Sequence, residues 1–432
     1  MHLSGVVSPC EKRKTIAEFS RYREERIEDL LICFDSPPGK AVPFVFATLH
    51  CPSLGGPELD NQGRLYIHYG DWKGFKSVKL STSYSRCLYS RSWRAVLALI
   101  VIVSIVIGAF GVSGTPALAA GSLPCDIYAA AHTPCVAAHS TVRALFSAYN
   151  GRLYQVKRAS DSKTTTIGTL TAGGYANAAA QDKFCAGTSC IITEIYDQSS
   201  KGNNLTIEGP GGQGGQDHGA NAAALPLTVG GHKVYGLYVS AGVGYRNDST
   251  SGIARNGAPE GMYMVASGTH VNNRCCFDYG NAETNNKDNG NGHMDAVYVG
   301  TWCQLKPCSG SGPWVQADME NGLYGGGNGG YTNNKGNHSA FVTALIKNNG
   351  QKKYAVKGGN AQSGGLTTWY SGAEPNRGGY SPMHQEGAIV LGTGGDNSNK
   401  AVGSFFEGVM TTGYPTDAAD NAVQANIVSI KY

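Results

Sequence analysis

The sequence predicts an all-β, two-sheet sandwich with a few short helices, and three features lead to it. Only 15% of the 432 residues are charged, against 60 glycines and 23 tyrosines, a balance that suits a loop-rich β protein better than a helical one. From about residue 121 onward, short strand-like runs alternate with glycine- and asparagine-rich turns. Eight of the twelve cysteines fall in that same part, an even number of the kind that staples secreted domains.

The strand-like runs are CIITEIYDQ, HKVYGLYVS, GMYMVAS, HMDAVYVG, SAFVTALIK, KKYAVKG, GAIVLGT and FFEGVMTT, each alternating or continuously apolar over a short length. Between them GPGGQGGQDHGAN, GGGNGGYTNNKGN and GTGGDNSN have turn compositions. Helices are expected at the two ends, over HSTVRALFSAYN and over TDAADNAVQANIVSIKY. In the second, Thr416 can cap a helix whose Ala419, Val423 and Ile427 recur on one face.

The N-terminal part is organised differently. Arg91 to Ala120 has a basic start, an apolar run from Ala95 to about Ile107, and small residues ending in Ala-Leu-Ala, the three parts of a secretory signal cleaved near Ala119 or Ala120. The competing reading is a membrane anchor, since the run approaches the ~18 residues that begin to span a bilayer. Residues 1–90 precede this signal, where a signal would not ordinarily sit. They are expected to be an unstructured extension or the product of a misassigned start. A net charge of +4, concentrated in EKRK, RYREER and RSWR, gives no case for nucleic-acid binding.

In the exported part the cysteines fall as close pairs: Cys125 and Cys135, Cys185 and Cys190, Cys275 and Cys276, Cys303 and Cys308. That spacing favours four local bridges. Loops so short gain little chain entropy, so their use is to pin local geometry. Adjacent Cys275 and Cys276 can also be read as two buried thiols.

Chemistry concentrates between Arg274 and Leu323 and in one later loop. WVQADMENG places Asp318 and Glu320 one residue apart, which in an extended strand sends both carboxylates to one face. LGTGGDNSN supplies Asp396. Two carboxylates on separate elements are the minimal apparatus for cleaving a glycosidic bond, and flanking Trp314 and Tyr324 suit a sugar cleft. Other chemistries lack their signatures. The glycine loop has neither phosphate-loop nor dinucleotide spacing, the scattered histidines form no metal motif, and no nucleophile elbow for serine chemistry occurs. No metal or cofactor is required. Asn204, Asn247 and Asn337 begin glycosylation sequons.

The strings CCFDYGNAET, GHMDAVYVG, GPWVQADMENGL, EGAIVLGTGGDNSN and FFEGVMTTGYP, in this order, resemble the catalytic domain of glycoside hydrolase family 54 α-L-arabinofuranosidases, over about residues 121–432. The resemblance implies a concanavalin-like sandwich (jelly roll) and a retaining hydrolase releasing terminal arabinofuranose from arabinan, arabinoxylan and related oligosaccharides. It implies Glu320 as nucleophile and Asp396 as general acid/base. Asp318 and Asn321 match sugar-hydroxyl partners, Gly395 a backbone contact, and Met294 with Cys275 and Cys276 the ring site. It also implies the first three disulfides, the vicinal one forming part of the sugar-binding wall.

Departures are visible too. GTWCQLKPCSGSGPW carries an extra cysteine pair, so Trp302 is assigned to the family's sugar-site tryptophan with uncertain alignment, and Gly322 replaces a second asparagine. No arabinose-binding β-trefoil follows, so weaker binding of polymers than of small substrates is expected. The expected partners are plant cell-wall polysaccharides or oligosaccharides, with no nucleic acid, no stable membrane association after signal cleavage, and a monomeric, extracellular protein. A non-catalytic arabinose-binding module, or a hydrolase for another furanoside, is the alternative.

Overall fold

The computed structural model describes residues 58–59, 65–71, 74–79 and 122–432, except 331, 332 and 351. It divides into two units, Met1–Gly111 and Val112–Tyr432. In the first, strands Glu58–Leu59, Leu65–Asp71 and Gly74–Lys79 pair antiparallel as a three-stranded sheet. The rest of the expected extension, residues 1–90, and the signal or anchor at 91–120 lie outside the described residues.

The second unit holds the predicted two-sheet sandwich. One sheet runs, in spatial order, Leu237–Val239, Gly403–Thr412, Glu260–Ser267, Phe341–Asn348, Lys353–Asn360 and Thr367–Ala373, with Cys135–Ser140 added along Gly403–Thr412. The other runs Leu323–Tyr324, Trp314–Asp318, Asp295–Gly300, Asp278–Ala282, Ala388–Leu391, Tyr245–Asn247, Leu205–Ile207, Cys190–Ile195, Arg152–Arg158 and Thr164–Gly168. Neighbouring strands are antiparallel throughout, so the site-bearing sheet can bury one face against its partner and turn the other outward.

Between the sheets, the Tyr279 ring packs on Phe405 with centroids 5.4 Å apart, and a side chain at Gly408 would strike it at 2.7 Å. The Tyr279 hydroxyl is paired with His139 Nδ1 at 2.9 Å. Because a carbonyl can only accept, His139 Nε2 donates to Asn203 O at 2.8 Å, which leaves Nδ1 to accept the hydroxyl.

The seven-stranded sheet is also covered on its outer face. The helix Asp417–Ser429 is capped by Thr416, whose side chain accepts from Ala419 N, and it buries Ala419, Val423 and Ile427 as the sequence predicts. Lys347 and Lys357 reach out of the sheet to it, each bonding both Asp417 and Asp420. Two buried lysines on a strand surface therefore mark the docking seat of a helix.

The expected helix over HSTVRALFSAYN is absent. Cys135–Ser140 is a strand, Ser140 Oγ accepts from Val142 N and Arg143 N in a tight turn, and a helix lies earlier, at Pro124–Ala130. A second helix, Ala178–Phe184, was not foreseen. The competing pull is Arg143, which leaves any amphipathic pattern to be buried against Glu407 in a two-pronged pair at 2.5 and 2.7 Å. Tyr263 and Tyr432 donate to the same carboxylate, tying the C-terminal residue into the core.

That pairing gives a stability prediction. Glu407→Ala would leave a 2% exposed guanidinium without its counter-ion, and unfolding in denaturant should show a loss of about 3–5 kcal/mol. A loss below about 1 kcal/mol would mean that Arg143 finds another partner.

Candidate active site

The outward face of the ten-stranded sheet carries the acids. Register pairs share a face, so Asp318 opposite Ala296, Tyr298 opposite both Gln316 and Asp278, and Arg246 opposite Val390 point together, away from the core-facing Tyr279, Val297 and Ala317. Asp318 and Glu320 do not share an extended strand, contrary to the sequence expectation. The strand Trp314–Asp318 ends at Asp318, and Met319–Gly322 turns back into Leu323–Tyr324. Glu320 sits in that turn at φ 67°, with its N–H on Asp318 Oδ1 at 3.1 Å. Tyr380 donates its hydroxyl to Met319 O and stacks on Tyr324, bracing the turn from behind.

The Glu320 carboxylate is held by three backbone N–H groups: Oε1 accepts from Asn289 N at 2.7 Å and Gly290 N at 3.0 Å, and Oε2 from His293 N at 2.8 Å. The loop supplying these N–H groups is tied down in turn, because Thr284 donates twice to Glu386, each at 2.8 Å. Opposite, Ser398 N and Oγ both donate to Asp396 Oδ1, at 3.0 and 2.5 Å. Among the described residues Asp396 Oδ2 accepts no hydrogen bond. Asn397 locks this second loop by donating to Gly209 O and Gly215 O.

Glu320 and Asp396 line one cavity of about 230 Å³ with Asp318, Asp288, Cys275, Trp302, Gly322, Leu323, Gln213, Gln304 and Ser398. That is below the ~300–1,000 Å³ of sites for drug-sized ligands and suits a single sugar ring. Cys275 and Cys276 are disulfide-bonded across a cis peptide, and Trp302 packs on the cluster formed by Cys276, Tyr298 and Leu323. Cys276 Sγ lies 3.3 Å from Asp318 Oδ2. Those sulfurs and an Asp318 oxygen lie within 4.8 Å of one another, but in a disulfide the sulfurs offer no thiolate to a metal. The other disulfides join Cys125 to Cys135, Cys185 to Cys190 and Cys303 to Cys308.

The remaining predicted residues divide. Asn321 is exposed at the tip of the turn beside Glu320. Gly395 stands under Asp396, and a side chain there would run into the buried Glu283 carboxylate. Met294 lies off the cavity wall, buried in a small cluster with Ala282, Ala296, Ala388 and Val390. The next residue, Asp295, begins a strand, and this part of its outward face is occupied by small alanines that leave room for a thioether.

Sequence reasoning missed the supporting acids Asp278, Glu283 and Asp288, although two stand inside the quoted CCFDYGNAET. Asp278 is fully buried without an N–H or hydroxyl donor. It hydrogen bonds the Asp318 carboxyl, which requires one of the two to carry a proton. Burial first pushes a proton onto each. Asp278 is raised further by repulsion from Asp318, whereas Asp318 is raised to about 8 by burial with Asp396 and Asp288 adding repulsion, against the Glu320 N–H and the Asp278 hydrogen bond, which pull it down. Glu283 is raised to about 8 by burial, with Glu320 and Asp318 adding repulsion. Asp288 is raised by burial and by Glu320 and Asp396.

With this geometry in view, the comparisons with known proteins are specific. Residues 124–432 match the family model for the alpha-L-arabinofuranosidase B catalytic domain. The chain belongs to this family. It is 57% identical over 335 residues to a probable alpha-L-arabinofuranosidase B of Aspergillus terreus, covering 76% of this chain and 65% of that one. It is 59% identical over 328 residues to an alpha-L-arabinofuranosidase of Hypocrea jecorina, covering 73% and 65%. A crystal structure of an arabinofuranosidase complexed with arabinofuranosyl-alpha-1,2-xylobiose superposes with a TM-score of 0.70 at 54% identity, covering 72% of this chain and 65% of that one. The chain thus spans about 65% of the length of the curated relatives it matches.

The buried acids make stability depend on pH. Glu208, Glu283 and Asp318 hold protons to about 8, and Asp295 to about 7, whereas unfolded carboxyls release them near pH 4. The native state therefore binds more protons across that window, and stability falls as pH rises through it. His139, held neutral by burial, opposes this by a single proton. Calorimetry should show the thermal midpoint dropping from about pH 5 to about pH 8, with a smaller drop in Asp278→Asn; a flat or rising midpoint would contradict the assignment.

Proposed function

We propose that this chain is a secreted, retaining α-L-arabinofuranosidase that removes terminal arabinofuranosyl groups from arabinan, arabinoxylan and related oligosaccharides. The observation carrying this reading is the meeting of Glu320 and Asp396 at one sugar-sized cavity, the first clamped by three N–H groups and the second with one oxygen that accepts no hydrogen bond among the described residues.

In the first step Glu320 attacks the anomeric carbon while Asp396, through Oδ2, gives a proton to the departing oxygen. The products are a glycosyl ester on Glu320 and a free alcohol. In the second step Asp396 takes a proton from water as that water displaces Glu320, so two inversions restore the starting configuration. Asp318 and Asn321 serve as hydroxyl partners, and the vicinal disulfide with Trp302 offers an apolar wall for the flat side of the ring. The N–H groups on Glu320 suit it as a leaving carboxylate in the second step, since they stabilise the charge that returns to it. Export follows from the signal-like segment 91–120, which would leave a mature chain beginning about residue 121.

A relative from Trichoderma koningii, 58% identical over 328 residues, is named an arabinofuranosidase/B-xylosidase, so a β-xyloside belongs in the assay beside the arabinofuranoside. With an aryl α-L-arabinofuranoside, Glu320→Gln and Asp396→Asn should each lose at least about 10²-fold in kcat/KM, and proton NMR should show the α-anomer as first product. A folded parent that binds arabinosides without turning them over would replace this reading with a non-catalytic binding module.

A further inference from the structure

Next to the catalytic cavity lies a second one of about 270 Å³. The two share Gln213, Cys275, Trp302 and Ser398, so a sugar in the first has its neighbour in the second. Their charges are opposite. Asp288, Asp318, Glu320 and Asp396 line the first. The second has no acidic residue in its lining and carries two cations, Arg274 and Lys400.

These cations are held together by the fold. Asn272 accepts from Arg274 N at 3.3 Å through Oδ1 and donates to Lys400 O at 3.1 Å through Nδ2. Lys400 N donates to Cys275 O at 3.2 Å, and Tyr298 donates its hydroxyl to Arg274 O at 3.1 Å. Both backbones are therefore fixed to the wall of the catalytic cavity. Among the described residues neither side chain makes an ion pair, whereas Arg143, Arg158, Lys233, Arg246, Lys347 and Lys357 all do. Two unpaired cations beside a cluster of acids would ordinarily be neutralised by it; here the pinned backbones hold them on the far side of the shared wall.

We propose that this second cavity is the leaving-group subsite and that it selects an aglycone carrying a carboxylate, a uronosyl residue, through Arg274 and Lys400. A guanidinium fork matches a carboxylate in two parallel hydrogen bonds, and an ammonium adds a point charge. The acids of the first cavity repel the same group, so charge alone sets the substrate's direction: neutral arabinofuranose inward, acidic sugar outward. The proposal rests on the arabinofuranosidase reading for its catalytic arm but not for its binding arm.

The experiment uses the full chain and the double variant Arg274→Gln/Lys400→Gln. Two arabinofuranosylated disaccharides are compared, identical except that C6 of the aglycone hexose is a hydroxymethyl group in one and a carboxylate in the other. The kcat/KM ratio, uronate over neutral, should be about 3- to 10-fold in the parent at low salt, the range for two exposed pairings. It should fall to about one in the double variant and in the parent at about 1 M salt. Calorimetric binding of free digalacturonate should weaken by a similar factor in the variant. A parent ratio of one, or a ratio the double substitution leaves in place, overturns the proposal. Should the parent turn over no arabinofuranoside at all, the proposed function fails and digalacturonate decides: equal binding by parent and variant overturns the subsite as well.

Discussion

One buried cation ties the loops carrying Glu320 and Asp396 to the sheet. Arg246, on the strand Tyr245–Asn247, has 5% of its surface exposed. Its Nη1 donates to Gly395 O at 2.7 Å, beneath Asp396, and to Asn286 Oδ1 at 3.2 Å, in the loop whose N–H groups hold Glu320. Its Nη2 donates to Glu283 O, and its Nε to Asp248 at 2.5 Å. A guanidinium offers five donors in a rigid plane, so one side chain can fix several carbonyls at set angles, which an ammonium could not. The loops that carry Glu320 and Asp396 are thus anchored to one residue that hydrogen bonds neither carboxylate.

Around this arginine the density of acid is made tolerable by protons more than by its charge. Glu208 lies 3.4 Å from Nη1 with no exposed surface, and its partner does not prevent burial from raising its proton affinity to about 8. Asp278, Asp318 and Glu283 are handled the same way, by retaining protons rather than by acquiring counter-ions. Glu320 and Asp396 are each met by several donors: three backbone N–H groups on Glu320, and Ser398 N and Oγ on Asp396. The site therefore contains two classes of carboxyl. Asp278, Asp318 and Glu283 are neutralised by retained protons, whereas Glu320 and Asp396 are met by N–H and hydroxyl donors.

What the sequence made legible was what depends on local pattern. Strand runs such as GMYMVAS and FFEGVMTT are short apolar stretches buried along nearly their whole length, the Thr416 cap needs one hydroxyl three residues before an N–H, and bridges such as Cys185–Cys190 span short loops. What it hid depends on partners distant in the chain. HSTVRALFSAYN has a helical composition, yet Arg143 is claimed by Glu407, 264 residues away. Asp278 reads as one more acid until the fold sets Asp318 beside it. Asp318 and Glu320 look like same-face neighbours because alternation says nothing about where a strand stops.

That last misreading points to a constraint of its own. A glutamate at φ 67° occupies the left-handed region, which costs a non-glycine residue of order ~1–2 kcal/mol and which asparagine or glycine would enter more easily. The turn does place an asparagine and a glycine next, at Asn321 and Gly322, and the opposite loop puts Asn397 at φ 60° directly after Asp396. The strained position is thus given to the one residue that must present a carboxylate at the cavity. Its left-handed backbone departs from the alternation that would have continued the strand, and the three N–H groups that receive the carboxylate offset the cost. Those donors belong to the loop that Arg246 and Glu386 hold. The conformation of the turn is therefore set by side chains well outside it, and a turn with the same local sequence but without that loop would relax.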